Sequence, residues 1–279
     1  MMPVSRLNDL RRRGVEALEE RLALPSRAER ENVAAAPVAR RETLKTARFY
    51  RAEQITQSAR AYFDRVFLPL HCYDPIADGV VLPSVIFDGK RGEIAELLKQ
   101  AKAAGAVYAL VGNLGHLALA READLIPLGD FRLNVCNRES VALWERMGME
   151  ETILSPELTL PQMRDVGGNS SAIVYGKIPL MLLEKCVSKE LADCKTCQAG
   201  AVYMVDRKGI AFPVLQEWEH RSMICNSLPT AMSDKEELLL RAKLSNRHFL
   251  FTDEGAEQVD RVINAHRLGR PVGGTVRRM

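Results

Sequence analysis

From residue 46 onward, short apolar runs rich in β-branched and aromatic residues alternate with amphipathic helical stretches. Such a chain folds as a parallel sheet with crossover helices, because a strand reaches a parallel neighbour only through a connection long enough to hold a helix. "ARFYR" (47–51), "RVFLPL" (65–70) and "VVLPSVIF" (80–87) read as buried strands. "GEIAELLKQAKAAG" (92–105) reads as a helix ending at Gly105, a glycine in the C-cap position. The strand "AVYALV" follows, then "DFRLNV", the helix "RESVALWERMG", the strand "MEETILS", the short helix "TLPQMRDV" and the strand "AIVYG". The class is α/β, and the number of units suits a closed TIM-like (β/α) barrel better than a three-layer open sheet. After Gly176 the regularity weakens. "YMVDRKGIAFPV" reads as a hairpin turning at Arg207-Lys208-Gly209, and "SDKEELLLRAKL" and "EGAEQVDRVINAHRLG" read as helices with acidic first turns.

Ahead of this pattern lies a different segment. Residues 5–24 form a helix by the spacing of Leu7, Leu10, Val15, Leu18 and Leu22, with arginines and glutamates on its other face. Residues 25–44 show no period, contain two prolines and read as a linker. The division expected is therefore 1–45, helix and linker, and 46–279, the barrel domain with its cysteine-rich region. A formal net charge of +3 permits an anionic partner such as RNA without demanding one. No run approaches the roughly 20 apolar residues of a membrane span, and "MMPVSRLNDLRRRGVEALEE" has no apolar signal core. A cytoplasmic location is expected, where thiols stay reduced.

That expectation sharpens the cysteines. Of the six in the chain, Cys186, Cys194 and Cys197 fall within "CVSKELADCKTC", and Cys225 follows across the hairpin. A C-x-x-C pair brings two thiolates to one metal from a single turn, and two more from flanking loops complete a four-thiolate site for an iron–sulfur cluster or zinc. Lys185, Lys189 and Lys195 would favour thiolates. Small buried cysteines without a metal are the alternative, which the polar spacer opposes. Cys136 reads as a core or strand-end residue, and Cys72 is open to either reading.

Other polar residues end the expected strands. His116 in "GNLGH" stands where barrel enzymes place catalytic groups, or is a turn histidine with satisfied hydrogen bonds. Glu157 in "SPEL" is a candidate acid or base if burial raises its pKa, or a cap for the helix after it. Tyr175 is a third catalytic candidate, and Asn113, Asn134 and Asn137 are candidates for binding substrate at the same mouth. H-E-x-x-H, G-x-S-x-G, Walker and G-x-G-x-x-G motifs do not occur.

"LNVCNRESVALWERMGMEETILSPELTLPQM", "IVYGKIPLMLLEKC" and "YMVDRKGIAFPV", followed by Asn226-Ser227, resemble peptidase family U32, the collagenase-like family, most strongly over residues 107–227. The "NDLRRRGVEAL" helix and "FLFTDEGAEQVDRVINAH" resemble segments of its longer bacterial members. The resemblance implies a TIM-like barrel. It also implies that this is the C-terminal part of a large member, as a stand-alone short form or a truncated gene, so that the barrel is either complete or incomplete, and the partners it suggests are the missing N-terminal portion or a second U32-type subunit. Some members are described as collagenases. Others hold a 4Fe–4S cluster on four cysteines and hydroxylate RNA bases or quinone precursors without oxygen. Cys186 sits where the family's cluster cysteines begin, with Cys194, Cys197 and Cys225 as its partners. The expected function is thus an iron–sulfur hydroxylase acting on tRNA, rRNA or a small aromatic. A collagenase-like peptidase and a non-catalytic scaffold held by metal are the alternatives.

Overall fold

The computed structural model describes residues 3–22, 43–191, 202–244 and 246–272. Helix α1 (Val4–Leu22) belongs to one compact unit, Met1–Ala34, and carries Leu7, Leu10, Leu18 and Leu22 exposed along its length. All later elements belong to a second unit, Ala35–Met279.

In that second unit the chain runs β1 (Lys45–Arg48), α2 (Gln57–Tyr62), β2 (Arg65–Pro69), β3 (Gly79–Val81), α3 (Arg91–Ala103), β4 (Tyr108–Val111), α4 (Leu114–Glu122), β5 (Ile126–Gly129), α5 (Arg138–Arg146), β6 (Thr152–Ile153), α6 (Leu160–Val166) and β7 (Ser170–Gly176). It continues through β8 (Pro179–Leu183), α7 (Val187–Leu191), β9 (Val202–Val205), β10 (Ala211–Gln216), β11 (Ser222–Cys225), β12 (Thr230–Ala231), α8 (Glu236–Arg241), β13 (Asn246–Leu250) and α9 (Ala256–Leu268). Strands β1 to β7 are parallel in sequence order, and β13 inserts between β7 and β1, pairing in parallel with both. Because β6 also pairs with β7, the eight strands close on themselves. The expected TIM-like barrel is therefore present and closed. The closing strand lies after the cysteine region, in "NRHFL", a run that the sequence reading left unassigned.

Alternation along the strands sorts the core. Phe67, Val81, Leu110, Leu128, Ile153, Ile173 and Leu250 fill the barrel interior. Ala47, Phe49, Val174, Phe249 and Phe251 pack outward against Val259, Val262 and Ile263 of α9. Phe49 stacks on Phe251 at 4.8 Å between ring centroids, and Phe63 meets Phe249 edge-on at 5.0 Å. Each such pair contributes about 0.5–1.5 kcal/mol beyond its buried area. The strand read over 80–87 stops at Val81, because Pro83 cannot donate to a ladder. "DFRLNV" is a turn around Phe131–Leu133, and the strand there is the preceding β5.

Between β7 and β13 the chain leaves the barrel to form a four-stranded antiparallel sheet in the order β8-β11-β10-β9. The expected hairpin is its β9–β10 pair. This sheet caps the carboxyl ends of part of the barrel, as the site shows.

Candidate active site at the capped barrel mouth

Two inward positions at the carboxyl ends of strands carry opposite charge. Arg48 ends β1, where Ala47 and Phe49 point to the helices and Arg48 therefore points in. Asp130 follows β5 and caps the turn after it, accepting from Arg132 N at 3.2 Å. The Arg132 guanidinium bridges Asp130 at 2.8 Å, Ser84 Oγ at 3.0 Å and Leu82 O at 3.0 Å, while Arg48 approaches Asp130 at 3.5 Å. Gly112 makes room for this arginine, since a Cβ there would lie 2.8 Å from the guanidinium carbon. Asp130 is 1% exposed. Burial alone would raise its pKa, but Arg132 and Arg48 outweigh burial and hold the carboxyl below its ordinary value. Burial lowers the pKa of Arg48 and Asp130 offsets part of that; a guanidinium stays charged regardless.

The cap supplies the roof. Glu217 is 9% exposed; its Oε1 accepts from Ser84 N, and its Oε2 has no hydrogen-bond partner. Glu217, Gln216, Trp218 and Met223 of the cap face Arg48, Pro69, His71 and Leu82 of the barrel across a cavity of about 20 Å³, enough for about one water. A second small cavity lies between Leu215, Met223 and Pro179 of the cap and Leu250, Phe251 and Thr252 of the barrel. Tyr50 OH donates to Gln216 O, Arg221 Nη1 donates to Val85 O at 3.0 Å, and Tyr203 OH donates to Asp253 Oδ2 at 2.8 Å. The capped region is the side of the mouth formed by β13, β1, β2 and β3.

The candidates read from sequence are distributed differently. Asn113 and Asn137 lie at the carboxyl side of the barrel as helix caps, their Oδ1 atoms accepting from His116 N and Ser140 N. Asn134 ends the turn after β5 in the left-handed region at φ 51° and is exposed. His116 is 1% exposed in the first turn of α4, its Nδ1 accepting from Gly112 N at 3.1 Å and its Nε2 lying 2.8 Å from Asn113 Nδ2. Tyr175 points outward onto Phe251, and its hydroxyl donates to Glu254 at 3.1 Å. Glu157 is exposed, so the burial on which its acid–base role was conditioned is not present. Nor does it cap α6. Thr159 does so, in a capping box with Gln162.

Cys194 and Cys197 lie outside the described residues. Cys72 and Cys136 are exposed. Cys225 is 0% exposed beneath the cap, packed with Leu215 and Met223 against Tyr50 and Leu182. Burial drives its pKa up to about 12, so it is a neutral thiol rather than a thiolate. Cys225 lies opposite Pro179, at the start of β8. Cys186 lies beyond the other end, where Val187 N donates to Ser222 Oγ at 2.9 Å. Three strand residues separate the two levels, about 10 Å. The described structure therefore does not bring Cys225 to Cys186. Among the described residues no cluster of three or more His, Cys, Asp or Glu side chains is arranged to hold a metal. The sequence reading missed Arg48, Asp130, Arg132 and Glu217. The available signal was a charged residue on the inward side of a buried run, as in "ARFYR".

Two buried histidines give this region a pH response. His248 lies inside the barrel with Nδ1 2.7 Å from Thr46 Oγ1. Burial lowers both His248 and His116 from 6.5 to about 4. Below pH 6.5 the unfolded chain takes up protons that the folded chain refuses until about pH 4. Stability is therefore expected to fall on acidification through that window, by about 1.4 kcal/mol per pH unit for each histidine. Urea midpoints at pH 7 and pH 5 measure it, and His248→Gln should flatten the slope.

Comparison with known proteins gives one family match. The model of peptidase family U32 matches residues 79–202. No curated protein matches the chain. Among solved structures, the U32 peptidase Mk0906 is 11% identical with a TM-score of 0.34, covering 84% of this chain and 100% of its own. The spore cortex-lytic enzyme SleL of Bacillus megaterium QM B1551 is 11% identical with a TM-score of 0.37, covering 86% of this chain and 76% of its own. A GH18 chitinase of Cycas revoluta is 8% identical with a TM-score of 0.35, covering 81% and 99% respectively. Scores this low carry no argument about the site. The sequence match over residues 79–202 includes Asp130 and Arg132, and over that stretch the chain is similar to peptidase family U32.

Proposed function

We propose that this U32-like chain is an enzyme that works at the capped mouth, with a 4Fe–4S cluster on Cys186, Cys194 and Cys197 serving oxygen-independent hydroxylation of an RNA base or a small aromatic. One observation carries the choice of cysteines. Strands β8 and β9 run antiparallel to each other in the cap, so β8 ends and β9 begins at the same end of the sheet. Cys186 follows β8, and Cys194 and Cys197 precede β9 in sequence. Cys225, at the other end of the sheet, is left out of the set. A cluster bound there supplies one-electron chemistry, while zinc on the same thiolates would supply structure only. The chain's own residues do the holding. Arg48 and Arg132 present fixed positive charge, Glu217 presents a carboxylate oxygen without a hydrogen bond 3.8 Å from Arg221 Nη1, and Trp218 offers an aromatic face beside His71 at 5.9 Å.

The test is anaerobic purification with assay of iron, acid-labile sulfide and zinc. Cys186→Ser and Cys197→Ser are expected to lose the iron, and Cys225→Ser to keep it. Iron lost equally in Cys225→Ser overturns the three-cysteine assignment. Zinc without iron favours the scaffold reading. The family's description as a peptidase favours hydrolysis instead. That reading predicts peptide cleavage that survives all cysteine substitutions.

A further inference from the structure

The cap is joined to the barrel by two connectors that lie side by side. Residues 176–178 lead from β7 into β8, and residues 226–229 lead from β11 into β12. Asn226 N donates to Ile178 O at 2.9 Å, so the two connectors form one bonded strip. Strands β8 and β11 are neighbours in the cap, which confines any rotation of the sheet to a single line along that strip. Away from the strip, the cap touches the barrel through a few polar contacts. Among the described residues these include Tyr203 to Asp253, Tyr50 to Gln216 O, Glu217 to Ser84 N, Arg221 to Val85 O and the Lys90–Glu219 ion pair at 2.6 Å, with Arg221 over the Phe87 ring and Trp218 beside His71. Among the described residues the apolar contact beneath the cap is a small cluster whose buried members are Leu215, Met223 and Cys225, with Trp218 packed at its rim against the barrel core. Few buried apolar contacts and a rim of polar bonds mark an element that opens below the global unfolding energy. Closed, the cap leaves a cavity of about 20 Å³ over Arg48, room for about one water.

We propose that the β8–β11 sheet is a lid, hinged along 176–178 and 226–229 and latched by Tyr203 on Asp253, and that a ligand reaches the Arg48–Asp130 centre only when the lid lifts. The proposal rests on the mouth being the working end, and its test requires neither turnover nor a cluster. Cys225 is the reporter, because in the closed lid it is both inaccessible and protonated and therefore unreactive toward alkylating reagents.

The full-length chain is pulsed with iodoacetamide, and the tryptic peptide Ser222–Lys235, which carries Cys225 alone among the cysteines, is weighed. Val66→Cys, at a fully buried position in the barrel wall, reports global unfolding in the same experiment. The expected result is that Cys225 reacts faster than the thiol at position 66. Tyr203→Phe should accelerate Cys225 about tenfold, the worth of one hydrogen bond, without moving position 66 or the urea midpoint. If Cys225 reacts no faster than position 66 in both backgrounds, the sheet is fixed core and the lid is overturned. If Cys225 reacts fast but Tyr203→Phe leaves its rate unchanged, the latch is overturned. Metal content is read separately, so loss of the lid and loss of the three-cysteine assignment are distinguishable.

Discussion

Asp130→Ala is expected to destabilise the barrel by about 3–5 kcal/mol, the cost of stranding buried charge without its partner. Asp130 is 1% exposed and is the shared acceptor of two guanidiniums, Arg132 at 2.8 Å and Arg48 at 3.5 Å. Removing it leaves two cations facing each other in a site with room for about one water. The same network fixes a pH dependence. The folded carboxyl titrates below its ordinary value, so its contribution is present above about pH 4 and is lost as pH falls below that. Urea unfolding at pH 7 measures the loss. The double variant Asp130→Leu with Arg48→Met should recover part of it, because replacing a buried pair by apolar groups removes the stranded charge. A loss under about 1 kcal/mol in Asp130→Ala would mean that the network is not closed in solution.

Gly176→Ala is expected to cost at least about 3 kcal/mol, or to abolish folding. Gly176 has φ 139°, where a side chain is strained, and a Cβ there would stand 2.3 Å from Leu250 O and 2.5 Å from Leu250 Cβ. The approach occurs at the last rung of the β7–β13 ladder, so the substitution wedges apart the strands that close the barrel. It also falls at the entry to the cap, where the chain leaves the ladder. Gly209 at the β9–β10 turn is the control. It has φ 77° but nothing within 4 Å of a built Cβ, so its alanine variant should cost only about 1 kcal/mol. Equal urea midpoints for the two variants would show that β13 does not lie against β7 in solution.

Together, these positions suggest a division of labour. The barrel holds a buried, paired set of charges at one end of its strands, and the cap decides whether anything can reach them. The pairing of Asp130 with two arginines keeps both cations aimed at the mouth while the cap is shut.

Composition and periodicity were enough for the fold class. Parallel strands buried on both faces read as continuous apolar runs, and the helices between them read as stripes, so "RVFLPL", "AVYALV" and "GEIAELLKQAKAAG" announce themselves locally. The resemblance carried in "LNVCNRESVALWERMG" and "IVYGKIPLMLLEKC" was likewise legible, and the family match over residues 79–202 agrees with it. Closure of the barrel was not legible. It depends on β13 crossing the cysteine region to pair with β7 and β1, and strand pairing at such separation leaves no local mark. The site residues divide in the same way. Asn113, Asn137 and His116 were visible as polar residues at strand ends, but a polar residue at a strand end can equally begin the next helix, and both asparagines do. Arg48, Asp130 and Glu217 come from β1, from the turn after β5 and from the cap, 82 and 169 residues from Arg48 along the chain. Their meeting is a property of barrel closure and capping, and charge pairing across that distance is fixed only when the tertiary structure excludes the water that would otherwise solvate each group alone.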